Sequence, residues 1–390
     1  MAVKGFRAAA VAANLRYKDR FDMGLIVADA LSSWAGVFTR SVCQAAPVIW
    51  SRDRAAQGRG RAILANAGQA NAQTGREGEA NCRLSAKTVA VPINCNADEI
   101  MLASTGVIGQ QINMTALTDA VPKLTAALRP DGLDDFARAI MTTDTFAKTA
   151  SAEFSLDGRT VSVWGCAKGS GMIAPNMATM LGFVLTDAAA SPELLREIVT
   201  EGADLSFNRV TVDGDTSTND CLLIMASGGS GTPPVTSGEP LEKFKEAVFT
   251  VMKNLARQIA KDGEGATKLV TVRVRNAASA EDAQKATRTV AESPLVKTAF
   301  FGCDANWGRV CMALGRSGAC FDPYAVDIDL DEVPWIRNGI DNGQEEAATA
   351  VMKKPEYVLD INLKAGDSDW EMLTCDFSHE YVTINGSYRS

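Results

Sequence analysis

Lys168-Gly-Ser-Gly-Met-Ile-Ala-Pro-Asn-Met-Ala-Thr-Met-Leu181 is the stretch on which the interpretation of this 390-residue chain depends. It begins with glycine-rich sequence, ends in small and apolar residues, and carries one charge, at Lys168. Its threonine, Thr179, follows an alanine, and the whole chain contains a single histidine, His379. Most enzymes that activate a hydroxyl nucleophile use a histidine base. A reactive Thr179 would therefore need a different base.

An α-amino group is one base that would suit Thr179. Its pKa of roughly 7.7–8.0 is well placed at neutral pH. It becomes available only if the bond between Ala178 and Thr179 is cut, and the same hydroxyl can cut that bond by attacking the preceding carbonyl. Pro175 and Asn176 supply turn chemistry just upstream. The alternative is that residues 177–181 are an ordinary buried strand, and residue types alone favour this alternative.

A second candidate element is the segment Ala103-Ser-Thr-Gly-Val-Ile-Gly109, which combines hydroxyl groups with glycines. A hydroxyl beside a glycine N–H can donate two hydrogen bonds to one oxygen, as an oxyanion hole requires. Sequence alone favours an ordinary turn rich in serine, threonine and glycine.

Two charged residues near glycines are candidate binding positions. Glu264 lies between Gly263 and Gly265, where the backbone permits a close approach, and its carboxylate suits an ammonium group. Lys168 likewise suits a carboxylate. The ordinary role of Gly263 is to end the preceding helix.

Metal sites are not expected in this chain. Its nine cysteines are scattered, no C-x-x-C occurs, and one histidine cannot build a histidine-rich site. The aspartates of Asp213-Gly-Asp-Thr-Ser-Thr-Asn-Asp220 suggest calcium, but their spacing differs from that of an EF-hand and no glutamate closes the loop. A hydrogen-bonded turn network is the better interpretation of that segment.

Composition argues against several classes of partner. Hydrophobic residues at 46% and charged residues at 22% are ordinary for a globular protein. A net charge of −8 without any Lys/Arg-rich block argues against a nucleic-acid partner. No apolar run reaches the ~20 residues of a membrane helix, and residues 8–13 resemble a signal peptide only faintly. We therefore expect a cytoplasmic protein without a nucleic-acid or membrane partner.

Strands and helices alternate in both halves of the chain without a regular βαβ rhythm. This pattern predicts a layered α/β (α+β) fold of stacked mixed β-sheets flanked by helices, not a TIM barrel or a doubly wound Rossmann fold. The chain has neither G-x-x-x-x-G-K-[ST] nor G-x-G-x-x-G at a strand-to-helix junction. The predicted strands include residues 46–50, 160–164, 180–185 and 221–226, and residues 357–363 and 370–375 are predicted to form a hairpin. The predicted helices include residues 114–128, residues 192–203 after a Ser191 cap, and residues 240–261 and 279–291.

Several long motifs occur in one order along the chain. They are Gly5-Phe-Arg-Ala-Ala9, Val37-Phe-Thr-Arg40, Ser104-Thr-Gly-Val-Ile-Gly109, Ile140-Met-Thr-Thr-Asp-Thr145, Lys168 to Leu181, Phe207-Asn208, Asp213 to Asp220, Asp262-Gly-Glu-Gly-Ala-Thr-Lys268, Asn306-Trp-Gly-Arg309 and Tyr381 to Ser390. Together they resemble the ornithine acetyltransferases, also called glutamate N-acetyltransferases, of arginine biosynthesis. The resemblance runs nearly from end to end.

The resemblance implies an enzyme that cuts itself before Thr179. Its α-chain would be residues 1–178 and its β-chain residues 179–390, folded together, with a smaller C-terminal region at about residues 280–390 and an α2β2 heterotetramer as the assembly. Thr179 would take the acetyl group of N2-acetylornithine as an acyl-enzyme and pass it to glutamate by a ping-pong route. The resemblance implies no cofactor, and it leaves open whether acetyl-CoA serves as a second acetyl donor.

The resemblance also implies roles for individual residues. Thr105 and Gly106 would form the oxyanion hole, and the cleavage site would be the bond between Ala178 and Thr179. The substrate-binding positions of the family match Thr142, Lys168, Thr179, Glu264, Asn385 and Ser390. The roles of Thr179, Lys168 and Glu264 agree with the chemistry inferred from their residue types.

This chain departs from the family pattern at two places. The family commonly has Asn-Ser-Gly-Asn-Ala-Asn-Ala-Cys-Thr-Gly where residues 66–75 read Asn-Ala-Gly-Gln-Ala-Asn-Ala-Gln-Thr-Gly. It commonly ends in Asn-Ala-Asp-Tyr-Arg-Thr, where this chain has Asn385-Gly-Ser-Tyr-Arg-Ser390. Neither change touches a nucleophile or oxyanion position, and Ser390 keeps a hydroxyl. Two alternatives remain: a self-cleaving amidase or aminopeptidase of related fold, in which water takes the acyl group, and an inactive binding paralogue.

Overall fold

The structure, a computed structural model, describes residues 2–174 and 180–387. The chain forms two compact units, Met1–Asn208 with Thr216–Ile259 and Arg209–Asp215 with Ala260–Ser390. Each unit contains one mixed β-sheet flanked by helices, which confirms the predicted α/β class. The predicted division of the chain at Thr179 falls outside the described residues and stays a prediction.

The first unit is built on an eight-stranded sheet. Its strands are β1 (Phe6–Val11), β2 (Met23–Phe38), β3 (Arg59–Gln69), β4 (Ile100–Val107), β5 (Lys148–Leu156), β6 (Arg159–Lys168), β7 (Leu181–Thr186) and β8 (Cys221–Ala226). They lie in the order β4-β3-β2-β8-β7-β6-β5, with β1 paired to β2. The β3–β4 and β7–β8 pairs are parallel and the others antiparallel.

The sheet of the first unit folds back on itself at β2, where the register with β3 shifts between Val27 and Ser32. Ile63 of β3 and Met101 of β4 therefore share one buried core with Phe183 of β7, although the sheet order separates these strands. The two halves of the sheet thus stack face to face, as the sequence predicts.

Helices cover the outer faces of this folded sheet. They are α1 (Ala46–Ala55), α2 (Gly75–Ala90), α3 (Met114–Ala126), α4 (Leu133–Ala139), α5 (Pro192–Leu205) and α6 (Gly238–Lys261). Val89 of α2 and Leu117 of α3 share a second core with Leu64 of β3, whose neighbour Ile63 faces the inner core. This alternation is what a strand buried on both faces requires.

The second unit contains a six-stranded sheet and five α-helices among its described residues. The strands are β9 (Leu269–Ala277), β10 (Asp327–Leu330), β11 (Val333–Arg337), β12 (Ile340–Asp341), β13 (Glu356–Asn362) and β14 (Ser368–Cys375), and the helices are α7 (Ala280–Ala291), α8 (Pro294–Gly302), α9 (Trp307–Gly315), α10 (Glu345–Met352) and α11 (His379–Gly386). The order is β12-β11-β10-β13-β9-β14. One core joins the sheet to α7, α8, α9 and α10.

Most predicted elements are confirmed, including the helix after Ser191, whose side chain accepts the Leu194 N–H at 3.2 Å. The strand predicted at residues 46–50 is wrong, because this segment begins helix α1. Pro47 suits the first turn of a helix, and the Trp50 indole N–H reaches the Ile100 carbonyl at 2.9 Å. Tertiary packing here overrides the strand preference of Val, Ile and Trp.

The hairpin predicted from residues 357–363 and 370–375 is also wrong. Both segments are strands, β13 and β14, but β9 lies between them, parallel to β13 and antiparallel to β14. Because β9 lies between β13 and β14, its backbone N–H and C=O groups are paired on both edges. A β13–β14 hairpin would leave these groups of β9 unpaired. Within the described part of the chain, no helix is long and apolar enough to cross a membrane.

Candidate active site

Thr105 and Gly106 lie at the end of β4, where this strand runs parallel to β3. Thr105 is opposite Ala67 and Gly106 is opposite Gly68. The φ angle of Gly106 is +127°, and a Cβ at this position would lie 2.2 Å from the carbonyl carbon of Gly68. Only glycine fits both the backbone angle and the close approach. The strand end therefore carries a constrained backbone N–H beside a threonine hydroxyl.

The side chain of Asn219 holds this strand end in place. Its amide nitrogen donates to the carbonyl oxygens of Ala70 at 2.6 Å and Ser104 at 2.8 Å. The Ser104 hydroxyl in turn donates to Asn66 Oδ1 at 2.6 Å. Because Ser104 immediately precedes Thr105, these bonds fix the backbone that leads into the candidate oxyanion donors.

Lys168, the last residue of β6, is buried in a cluster of charges around Asp144. One carboxylate oxygen of Asp144 accepts the Lys148 ammonium at 2.6 Å and the Gly169 N–H at 2.8 Å, and the other accepts the Thr142 N–H at 3.0 Å. Burial opposes ionisation of Asp144, but the positive charges of Lys168 and Lys148 outweigh it and lower the pKa of Asp144 to about 2. The carboxylate is therefore ionised at neutral pH and compensates two buried cations.

Strand register brings the end of β6 beside the beginnings of β7 and β8. Lys168 is opposite Leu181 on β7, and Leu181 is opposite Cys221 on β8. The predicted nucleophile Thr179 lies outside the described residues, two positions before Leu181. Lys168 therefore lies at the end of the sheet where β7 begins.

Ala174 and Met180, the described residues on either side of residues 175–179, are held by hydrogen bonds. On one side, the Ala174 carbonyl accepts the Thr216 hydroxyl at 2.9 Å. On the other side, the Met180 carbonyl accepts the Cys221 N–H at 2.9 Å. Ala174 and Met180 are therefore both hydrogen-bonded to the chain between Thr216 and Cys221.

Asp220 is the residue immediately before β8, and its carboxyl group is almost fully buried. Its Oδ2 finds no hydrogen-bond partner among the residues that the structure describes. Burial raises the pKa of Asp220 well above its usual range, and this effect exceeds the opposing influence of Ser217 and Lys168. Burial thus shifts the pKa of Asp220 upward, in the opposite direction to that of Asp144.

Glu264 and Asn385 come together in the second unit. The Asn385 amide donates to Glu264 Oε2 at 2.7 Å, and Glu264 is buried. The hydroxyl of Tyr381 lies 3.4 Å from Asp213 Oδ2, and burial together with the negative charges of Asp213 and Glu264 raises its pKa. This unit thus presents a carboxylate that can receive an ammonium group.

The single histidine, His379, packs its ring edge-to-face on Phe301, with centroids 5.3 Å apart. It belongs to the second unit, whereas Thr105, Gly106, Thr142 and Lys168 belong to the first. Across residues 2–174 and 180–387, no group of three or more His, Cys, Asp or Glu side chains could hold a metal ion.

The structure therefore places the predicted residues in three sets. Thr105 and Gly106 share one strand end, Thr142 and Lys168 both adjoin Asp144, and Glu264 contacts Asn385. Ala178, Thr179 and Ser390 lie outside the described residues.

Sequence reasoning missed the roles of Asp144, Asn219 and Asp220. All three lie inside motifs that carried the family resemblance, Ile140–Thr145 and Asp213–Asp220. The segment before β8 does contain the predicted turn bonds, such as the Asn219 N–H to Ser217 Oγ at 3.2 Å. Asn219 and Asp220 stand directly before the buried strand β8, and this placement could have distinguished them from turn residues.

Comparison with known proteins agrees with the resemblance. The model of the ArgJ family matches residues 7–390. The arginine biosynthesis bifunctional protein ArgJ of Desulfotalea psychrophila is 47% identical over 393 residues and covers 100% of both chains, and that of Nitratidesulfovibrio vulgaris is 47% identical over 99% of both. The crystal structure of the argJ protein of Bacillus halodurans is 38% identical, with a TM-score of 0.52, over 54% of this chain and 100% of the solved chain. The chain belongs to the ArgJ family and is an acyltransferase of arginine biosynthesis.

Proposed function

We propose that this enzyme transfers the acetyl group of N2-acetylornithine to glutamate through an acetyl ester on Thr179. Self-cleavage between Ala178 and Thr179 would first expose the α-amine that serves as the base. The observation that carries the proposal is the register of Lys168 with Leu181, because it brings a buried cation beside the strand that follows Thr179. Donor and acceptor both carry an α-carboxylate, so one cation can bind each in turn.

In the first half-reaction, the Thr179 amine takes the hydroxyl proton while the hydroxyl oxygen attacks the acetyl carbonyl. The Thr105 hydroxyl and the Gly106 N–H donate to the oxygen that becomes negative. The tetrahedral intermediate then collapses, the C–N bond breaks, and the departing ornithine nitrogen takes the proton. In the second half-reaction, the glutamate amine attacks the ester and the Thr179 oxygen recovers its proton.

Two side chains of opposite charge would recognise the two charged groups of the substrate. We assign Lys168 to the substrate carboxylate and Glu264, oriented by Asn385, to a substrate ammonium group. Thr142 and Ser390 keep their predicted roles as further substrate-binding residues. The bond from the Thr142 N–H to Asp144 supports the first of these, because it holds Thr142 beside the same carboxylate that compensates Lys168.

The cleavage would leave residues 179–390 as a separate chain of 212 residues, which is 54% of the whole. We further propose an α2β2 heterotetramer in the cytoplasm, without a cofactor. We also propose acetyl-CoA as a second acetyl donor, and the relatives' name, arginine biosynthesis bifunctional protein, supports a second activity.

Intact mass spectrometry tests the cleavage directly. The purified enzyme should give two fragments that meet between Ala178 and Thr179, and so should Thr179→Ser, which keeps a hydroxyl. Thr179→Ala should stay one chain and transfer no acetyl group from acetylornithine to glutamate. A cleaved or active Thr179→Ala variant would refute the proposal. Acetate release from acetylornithine at the same rate with and without glutamate would identify a hydrolase instead.

A further inference from the structure

The loop that carries Glu264 joins α6 to β9 and packs on helix α11. Glu264 is 5% exposed, and its Oε2 accepts the Asn385 amide at 2.7 Å. The φ angle of Gly265 is +70°, and a Cβ at this position would lie 2.6 Å from the backbone nitrogen of Tyr381. Asn385 and Tyr381 both belong to α11, so the loop contacts this helix through a side chain and through its backbone.

A second set of hydrogen bonds joins the same loop to the chain between β14 and α11. Asp376 is fully buried, and its Oδ1 accepts the backbone N–H groups of Thr267 at 2.8 Å and Lys268 at 2.9 Å. Its Oδ2 accepts the Thr267 hydroxyl at 2.6 Å. The Ser378 hydroxyl donates to the Gly265 carbonyl at 2.6 Å and also caps the first turn of α11. Asp376 and Ser378 therefore fix the part of the loop that directly follows Glu264.

A buried lysine holds the backbone on both sides of Asp376. The Lys297 ammonium donates to the Thr374 hydroxyl at 2.8 Å and to the Cys375 carbonyl. The Lys297 carbonyl accepts the Phe377 N–H at 3.2 Å. Because Cys375 and Phe377 flank Asp376 in the chain, the carboxylate reaches the loop from a fixed backbone, as a rigid support for a binding residue requires.

We propose that Asp376 and Ser378 are positioning residues that set the preference of the first half-reaction for a donor with a side-chain ammonium group, an inference that rests on the proposed function. N2-acetylornithine has one ammonium group, on its side chain, because the acetyl group caps its α-nitrogen. The glutamate side chain has none. The carboxylate of Glu264 thus suits the side chain of the donor and not that of the acceptor. Asp376 and Ser378 act through Glu264 and need no contact with the substrate.

The two glycines that flank Glu264 explain why its loop needs such support. Gly263 and Gly265 permit many backbone conformations, so the sequence of the loop does not by itself hold the carboxylate in one place. The attraction between a carboxylate and an ammonium group falls with the distance between them, and a misplacement of about 1 Å in an active site is enough to reduce the reaction rate strongly. Releasing the loop should therefore weaken the use of acetylornithine while Glu264 itself is still present.

The test uses Ser378→Ala, which removes one bond to the loop, and Asp376→Asn, which replaces a carboxylate oxygen by an amide. Asp327→Asn is the matched control. Asp327 lies at the opposite end of the same sheet, accepts the Asn338 N–H at 2.9 Å and pairs with Lys364 at 2.8 Å. Steady-state rates give kcat/KM for acetylornithine and for glutamate separately, because in a ping-pong reaction each value reports its own half-reaction.

We expect Ser378→Ala and Asp376→Asn to lower kcat/KM for acetylornithine at least about fivefold and to leave kcat/KM for glutamate within about twofold of the wild type. Asp327→Asn should change neither value by more than about twofold. In a Glu264→Gln background, Ser378→Ala should lower kcat/KM for acetylornithine by no more than about a further 1.5-fold, because the residue that it positions is already changed.

Equal losses for both substrates would mean that the two residues only stabilise the unit, and would overturn the inference. So would an unchanged kcat/KM for acetylornithine in Ser378→Ala, or the full loss recurring in the Glu264→Gln background. The Ser378 comparisons decide the matter if Asp376→Asn fails to fold. If the wild type transfers no acetyl group from acetylornithine to glutamate, the proposed function fails instead.

Discussion

Replacing Asp144 with asparagine should strongly destabilise the first unit. The side chains of Asp144 and Lys148 are fully buried and 2.6 Å apart, and Lys168 adds a second positive charge. Lowering the pKa of Asp144 from 3.8 to about 2 corresponds to about 2 kcal/mol in favour of the folded, ionised state. Removing one partner of a buried ion pair costs about 3–5 kcal/mol, because the other charge is left uncompensated. We expect Asp144→Asn to lower the free energy of unfolding by about 3 kcal/mol at pH 7.

The same pair predicts how stability depends on pH. The pKa of Asp144 is lower in the folded than in the unfolded chain, so its contribution is fully present above about pH 4 and is lost as pH falls towards about 2. The difference in stability between the wild type and Asp144→Asn should therefore shrink over this interval. At neutral pH and above, it should be constant.

Urea unfolding followed by tryptophan fluorescence measures these differences, and hydrogen exchange of the β6 amides assigns the transition to the first unit. Asp98→Asn is the control, because Asp98 pairs with Arg54 at 2.5 Å while its own side chain is 65% exposed. This surface pair should contribute less than about 1 kcal/mol. If Asp144→Asn costs no more than Asp98→Asn at pH 7, the buried pair does not stabilise the unit as argued.

Four further substitutions test the site. Gly106→Ala should lower kcat at least about 100-fold, because its Cβ would displace the strand end from Gly68; acetyl transfer at the wild-type rate would contradict this. Asn219→Ala leaves two buried carbonyl groups without a donor, so urea unfolding should show a loss of about 2–3 kcal/mol and kcat should fall with it. Glu264→Gln should raise KM for acetylornithine about 10-fold or more at similar stability, and an unchanged KM would remove Glu264 from the binding role. Asn385→Ala should show a smaller rise in the same steady-state assay, because it removes only the orienting bond.

The sequence predicted those parts of the fold that depend on local pattern. The helix after Ser191 has a cap, a proline at its first position and a regular apolar spacing, and all three act within a few residues. In the segment that begins α1, the local sequence signals conflict. Val48, Ile49 and Trp50 favour a strand, while Pro47 favours the start of a helix. The neighbours of β9 depend on contacts between residues about 90 positions apart, which no local pattern encodes.

In the candidate site, too, the sequence predicted what depends on residue type and not what depends on the fold. Residue type was sufficient to single out Lys168 and Glu264, because a charge near glycines suggests binding wherever the chain folds. It was not sufficient for Asp144 and Asp220, which look alike in sequence. What separates them is their surroundings. Asp144 accepts three hydrogen bonds within the described residues and lies near two lysines, whereas burial outweighs Ser217 and Lys168 at Asp220.

The difference between the surroundings of Asp144 and Asp220 matters because the chain contains a single histidine. A fold that turns one sheet back on itself can gather carboxyl groups from distant segments around Lys168 and set their protonation states separately. The carboxyl near two lysines has a lowered pKa and balances their charge, while burial raises the pKa of the other. Carboxyl groups in different environments can then differ in protonation, and the single histidine of the sequence packs against Phe301. The surroundings of each carboxyl, more than its residue type, therefore determine the direction in which its pKa shifts.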